Sequence, residues 1–334
     1  MNDPIPAAVR RAFDLEGDAE PVSGGWINDT YFAARAGVRV VVQRLHPIFS
    51  GEVNDDIDRI TERLDAEGLL TPRLVRSSDG ASFVTSDGVW RVITFVAGQT
   101  FDALTPSRAR SAGRLVGRFH QVARRIEHDF SFTRPGAHDT AAHLNKLRGL
   151  VGTDDRFDAH AARVLTAAAA LPTRVTLPTQ VVHGDLKATN LRFDERGEEA
   201  IALLDLDTLA HGTVDIDLGD ALRSWCNVDE ANPAATFDLE VFSAALEGWA
   251  EGGHGVFGRR DGMAVVAGVE TLALELASRF AADLYEDCYF GFDPTRFASR
   301  RAHNRARTEG QLALSLSVRA QREALRDVVE SVFS

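Results

Sequence analysis

The spacing of hydrophobic positions changes once along the chain. Up to about residue 96 the pattern is short and alternating, as in strands. The run Val38–Leu45 sets Val42 and Arg44 on one face and Val41 and Gln43 on the other. With Val22–Phe32 before it and a turn at Gly37 between, it reads as a strand pair. Further strands are expected at Leu74–Arg76, Ser82–Thr85 and Trp90–Val96, with turns at Asp79-Gly80 and Asp87-Gly88. Two helices interrupt this part. Residues 4–16 carry Ile5, Val9, Ala12 and Phe13 at helical spacing after Asp3-Pro4, and Asn54–Glu67 carries Ile57, Ile60 and Leu64.

Beyond Phe95-Val96-Ala97-Gly98-Gln99 the period becomes helical. Ser107–Arg125 presents Leu115, Val116, Phe119 and Val122 on one side, and alanine-rich helices fill much of the remainder. Thr179–Val182 reads as a strand, and Leu191–Phe193 pairs with Ala200–Leu204 across the turn 194–197. The predicted class is α+β, with a small β-rich lobe over 1–96, a larger helical lobe over 97–334, and a hinge near 95–99 at Gly98.

Composition narrows the functional classes. The chain has 334 residues, 44% hydrophobic and 26% charged, within the range of a globular protein. Its 49 acidic against 37 basic residues argue against broad nucleic-acid binding, which needs a cationic footprint, and the basic stretch 296–307 does not reverse that balance. Cys226 and Cys288 are far apart and lack metal-ligand spacing, so both are expected to be reduced, buried thiols. The start, Met1 to Gly17, has no apolar signal region, and no run approaches a membrane span. A cytoplasmic protein without a membrane partner is the expectation.

Chemistry concentrates in His183-Gly184-Asp185-Leu186-Lys187-Ala188-Thr189-Asn190, followed fifteen residues later by Asp205 in Leu204-Asp205-Leu206-Asp207. This is the layout of a phosphotransferase that holds a hydroxyl acceptor and MgATP. Asp185 is the candidate base. Asn190 and Asp205 offer the oxygen ligands a hard Mg²⁺ ion requires. Asp207 either assists the metal or holds the loop. Lys187 is positioned to neutralise the transferring phosphoryl group. His183 and Asp217 read as support for the loop, and His120 as core. For the nucleotide, Gly24 and Gly25 with Asn28 and Thr30 suit a loop that approaches phosphates, and backbone groups at Thr94, Phe95 and Val96 would face an adenine. Arg44 is favoured as the phosphate cation, with Val42 roofing the base. Its acidic partner is open among Asp55, Asp58 and Glu62. Only twelve residues separate Asp205 from Asp217, too few for the activation loop of a protein kinase.

These motifs resemble the aminoglycoside phosphotransferase and choline kinase superfamily, carried by His183-Gly184-Asp185 through Asn190, Leu203-Leu204-Asp205 and Asp217-Leu218-Gly219. The resemblance implies a protein-kinase-like two-lobed fold and an ATP- and Mg²⁺-dependent small-molecule kinase. Within that superfamily the chain is most similar to the N-acetylhexosamine 1-kinase branch. The segments 25–32, 42–45, 90–92, 205–208, 217–223, 279–285, 289–290 and 303–308 carry that similarity. It implies a sugar acceptor phosphorylated at its anomeric hydroxyl, with Arg305 or Arg307 reaching the substrate. Trp26 stands where the branch commonly has a histidine beside the sugar, so the resemblance leaves the sugar's identity open.

Overall fold

The alternation in Val38–Arg44 builds the centre of an antiparallel sheet. The computed structural model describes residues 3–22, 27–134 and 136–334. The strands are β1 (Glu16–Pro21), β2 (Asp29–Arg35), β3 (Val38–Arg44), β4 (Leu74–Val75), β5 (Val84–Thr85) and β6 (Val89–Thr94). Their order is β1-β2-β3-β6-β4, with β5 also paired to β6. Val42 lies opposite Val92, and Gln43 opposite Arg91. One face carries Val40, Val42, Trp90 and Val92, which close over Ile5, Val9 and Phe13 of the segment forming α1 (Ala7–Phe13). Val9, Phe13, Val42 and Val92 are fully buried, each stabilising the sheet by about 1.5–3 kcal/mol. The other face, with Gln43 and Arg91, turns toward Asp207. β1 escaped the sequence reading because its polar residues carry no alternation; none is buried.

Helix α2 (Val53–Ala66) buries Val53, Ile57, Ile60 and Leu64 as the spacing predicts. The chain then crosses to the helical part through Gly98, whose φ of +124° and position favour glycine. A Cβ there would lie 1.9 Å from the Phe193 carbonyl oxygen. Beside it, Gln99 and Phe193 exchange backbone hydrogen bonds of 2.9 and 2.8 Å.

The helical part comprises α3 (Pro106–Ala123), α4 (Thr140–Leu150), α5 (Asp155–Ala168), α6 (Val214–Trp225), α7 (Leu239–Gly252), α8 (Arg259–Glu286), α9 (Arg300–Ala320) and α10 (Arg322–Val332). Two short ribbons accompany it, β7 (Gln180–Val182) with β10 (Ala210–Gly212) and β8 (Leu191–Phe193) with β9 (Ala200–Leu203). Pro106 at the first turn and the Thr105 hydroxyl, which accepts from the Arg108 N–H, start α3. Helices α3 and α7 meet at glycines. A Cβ on Gly113, Gly117, Gly248 or Gly252 would come within 2.0–2.3 Å of a carbonyl oxygen on the facing helix. That close approach brings the buried His120 of α3 against Trp249 of α7.

No helix among the described residues is long and apolar enough to cross a membrane. Both cysteines are free; Cys226 is buried as expected, whereas Cys288 is exposed beside the αL residue that ends α8. The stretch 296–307 serves partly as structure. Arg296 pairs with Asp229 at 2.6 Å, and Arg300 donates to the Phe290 carbonyl at 2.7 Å.

Candidate active site

Strand β7 delivers the chain into the loop 183–190, whose backbone is fastened from below. The His183 and Gly184 N–H groups donate to the two oxygens of Asp217, at 2.9 and 2.7 Å. His120 Nε2 meets the same carboxylate at 2.9 Å, while its Nδ1 accepts from the Trp249 indole N–H at 3.0 Å. The indole donor assigns the His120 proton to Nε2, which donates to Asp217. Burial raises the Asp217 pKa, but the His120 hydrogen bond and neighbouring histidines outweigh it and hold the carboxyl below its usual value. His183 is itself buried, with Nε2 2.9 Å from the Leu204 carbonyl oxygen and Nδ1 accepting from the Asp185 N–H at 3.3 Å.

Above this base the reactive groups converge. One Asp185 carboxylate oxygen accepts from Lys187 Nζ at 2.6 Å and from Asn190 Nδ2 at 3.1 Å. Burial pushes the Asp185 carboxyl up, yet the Lys187 ammonium prevails and holds it below the ordinary carboxylate range. Lys187 in turn is raised despite its own desolvation, by Asp185 and Asp205. The β8–β9 hairpin carries Asp205 back to the loop, and the Leu204 N–H donates to the Asn190 carbonyl at 2.8 Å. Asp205 sits in the left-handed region (φ 58°, ψ 66°) with its side chain exposed to the cleft. The protein wall around it, then Asp207, raise its pKa to about 6 against the opposing charge of Lys187. Crowded carboxylates of this kind favour a cation between them.

Asp207 is engaged differently. Buried at the end of the same turn, it receives the Arg91 guanidinium on both oxygens (2.5 and 3.0 Å) and the Asn28 side-chain amide at 2.7 Å. Arg91 also donates to Gln43 at 2.8 Å and to Asn54 at 3.3 Å. Gln43 reaches Thr30 at 3.3 Å. Thus Asn28 and Thr30, both expected near the nucleotide, lie in one network with Asp207.

Arg44 and Val42 are not brought into this network. The register that turns Gln43 toward Asp207 turns them to the opposite face, where Val42 packs under α1 and Arg44 pairs with the exposed Asp87 at 3.2 Å. Nor does an acid of α2 face the cleft cation. Asp55 accepts from Ser82 at 2.8 Å, Asp58 pairs with Arg76, Glu62 is exposed, and it is Asn54 that touches Arg91. At the hinge, Phe95 meets Phe32 edge-on at 5.5 Å and Val96 is buried, while the Thr94 hydroxyl accepts from the Arg73 N–H at 2.9 Å. Gly24, Gly25 and Trp26 lie outside the described residues.

On α9, Arg305 is exposed, whereas Arg307 pairs with Glu230 at 3.2 Å and donates to the Gly291 carbonyl at 2.8 Å.

A second wall of the site combines Arg279 and Tyr289, from segments that the resemblance marks, with His138 and Arg134, which it does not. His138 Nε2 meets the Gly184 carbonyl oxygen at 3.1 Å, and its Nδ1 lies 3.5 Å from Glu275 of α8. Arg279, one turn along α8, and Arg134 both lean over the Tyr289 ring, at 5.9 and 6.0 Å from its centroid. Arg223 of α6 pairs with Asp220 at 2.8 Å. No motif flags Arg134, and Arg91 and Arg279 enter only within segments of resemblance, with no role given to either; register and helix packing assemble them.

Three solved structures illustrate the likeness of the whole chain. A microcompartment-associated aminopropanol kinase superposes with a TM-score of 0.65 at 16% identity, covering 94% of this chain and 95% of that one. An aminoglycoside phosphotransferase from Alicyclobacillus acidocaldarius gives 0.63 at 17%, covering 97% and 98%. The amicoumacin kinase hAmiN, in complex with AMP-PNP, Ca²⁺ and Ami, gives 0.60 at 16%, covering 88% and 87%. At such identities they show a shared kinase-like α+β fold. The APH model, described as the phosphotransferase enzyme family, matches residues 18–252, a span that takes in the sheet, the hinge, the catalytic loop and Asp217. The chain therefore belongs to the APH phosphotransferase family, as a small-molecule phosphotransferase acting on a hydroxyl group.

Proposed function

We propose that the protein transfers the γ-phosphoryl group of MgATP to the anomeric hydroxyl of a free hexose or N-acetylhexosamine, in a cleft between lobes comprising residues 1–96 and 97–334. The observation that carries this reading is the half-open Asp185 carboxylate, fixed by Lys187 and Asn190 opposite Asp205. A carboxylate held below its usual range is a weak base. It suits an anomeric hydroxyl, which is more acidic than an ordinary alcohol, and its hydrogen bond aligns the attacking oxygen. Lys187 balances charge gathering on the transferring group.

The donor set fits a hard divalent cation. Asn190 spends its Nδ2 on Asp185, which leaves Oδ1 as a ligand, and the Asp205 carboxylate accepts no hydrogen bond from the described residues. When bound there, Mg²⁺ neutralises the phosphate oxygens. Asp207, saturated by Arg91 and Asn28, holds the loop instead of the metal. Arg91, buried and committed to Asp207, Gln43 and Asn54, anchors that loop to the sheet. The backbone of Thr94–Val96 and the loop at Gly24 and Gly25 bind the nucleotide.

Support for a sugar comes from how the similar segments meet. Asp283 accepts from the N–H groups of Cys288, Tyr289 and Phe290 and from the Asn304 amide. Segments 279–285, 289–290 and 303–308 thereby form one wall beside Arg279. Trp26 and either Arg305 or Arg307 complete the acceptor contacts in this reading.

The test is ATP consumption over free sugars, amino alcohols, homoserine and aminoglycosides, each active sugar being paired with its 1-O-methyl glycoside. Turnover of the free sugar and none of the glycoside is expected. Equal phosphorylation of both, or turnover of homoserine or an aminoglycoside alone, would exclude anomeric transfer.

A further inference from the structure

The charges on the acceptor wall are unbalanced. Most arginines of this acidic chain end on a carboxylate, as Arg44, Arg91, Arg110, Arg174, Arg223 and Arg296 do. Arg134 and Arg279 do not. Among the described residues Arg134 has a hydrogen bond only from its guanidinium to the Tyr289 hydroxyl, and Arg279 has neither hydrogen bond nor ion pair. Nearby acids are already committed. Glu275 accepts from Thr140 at 2.5 Å and faces His138, while Asp220 is held by Arg223.

These two cations stand at the reaction centre. His138 ties the Arg134 segment to the Gly184 carbonyl, one residue before the base, and Glu275 ties α8 to the same histidine one turn from Arg279. The half-exposed Tyr289 ring lies under both guanidinium groups. Burial, then the neighbouring Arg279, lower the pKa of Arg134 against the charges of Asp185 and Asp205, and burial lowers that of Arg279 against Glu275, then Asp220. Half-buried guanidinium groups with no ion pair or carboxylate hydrogen bond among the described residues leave their forks open to an anionic ligand.

We infer that the acceptor carries its own anionic group, a carboxylate on the sugar, received between Arg134 and Arg279 above Tyr289 while Asp185 addresses the anomeric hydroxyl. A hexuronic acid has this combination: a free anomeric hydroxyl at one end of the ring and a carboxylate at the other. Two guanidinium forks suit a planar carboxylate, and the aromatic ring offers a surface for the sugar's C–H face. The inference rests on the sugar-kinase reading above. The other claimant for these charges is the transferring phosphoryl group, which every acceptor would share.

The experiment compares kcat/KM for glucuronate with glucose and galacturonate with galactose, in the full-length enzyme and in Arg134→Gln and Arg279→Gln. Melting temperature and ADP affinity of each variant check that it is folded. The acids are expected to exceed their neutral partners by about 10- to 100-fold, the scale of a charge-assisted hydrogen bond. Each arginine substitution should reduce that ratio about tenfold or more, chiefly through KM, on the same scale. Neutral sugars turned over as well as the acids would overturn the anionic acceptor while leaving the sugar-kinase reading intact. So would arginine variants that slow both classes equally, which would assign the two charges to the phosphoryl group. Turnover of no sugar at all would sink both.

Discussion

Asp185 and Asp217 are both aspartates of the same corner, yet one is half-open and the other sealed. That difference separates their roles. Asp185→Asn keeps the shape of the loop but removes the proton acceptor. A fall in kcat of about 10²–10⁴ at unchanged melting temperature is expected, and near-native turnover in the folded variant would remove Asp185 from the mechanism. Asp217→Ala leaves two loop N–H groups and His120 without their acceptor. Its cost should appear as about 3–5 kcal/mol of stability in denaturant titration. A loss of activity with no change in midpoint would mean that Asp217 acts on the reaction itself.

Among elements, the short connection 95–99 depends most on a single position. Gly98 has both a positive φ and a carbonyl oxygen where a Cβ would stand. Gly98→Ala must therefore strain the backbone, by about 1–3 kcal/mol, and push Gln99 away from Phe193. Weaker ADP binding by calorimetry is the expected result if, as proposed, this backbone lies beside the nucleotide. Unaltered affinity would show that the hinge tolerates the displacement. The glycines of α3 and α7 act in a similar way at larger scale, since helix contact there sets His120, and through it Asp217.

At the scale of the molecule, the buried Arg91–Asp207 pair joins the sheet to the turn proposed to hold the metal. Arg91→Met strands a buried carboxylate and should destabilise by about 3–5 kcal/mol, whereas adding Asp207→Leu should restore much of that stability without restoring turnover. Equal activity in the double variant would reduce the pair to scaffolding. Arg44→Met is the control: its partner is an exposed surface acid, so less than about 1 kcal/mol should be lost, and the KM for ATP should not move. A raised KM would return the phosphate role to Arg44.

By itself the sequence determined what local patterns encode. Period and turn residues placed α2, α3, β3 and the β8–β9 hairpin within a few residues, and the spacing from His183 to Asp205 singled out the candidate catalytic loop. A hydrogen-bonded hairpin is short-range, so Asn190 and Asp205 are legible together. The alternation at Val42-Gln43-Arg44 correctly divided the strand into two faces, but not which face meets the cleft. Only the packing of α1 decided that, by covering Val42 and leaving Gln43 and Arg91 to Asp207. The acceptor wall was joined only by the tertiary structure, although the resemblance had marked the segments of Arg279 and Tyr289. Arg134, Arg279 and Tyr289 come from separate segments, and what makes them notable is the carboxylate they lack, a property that exists only once the chain has folded around them.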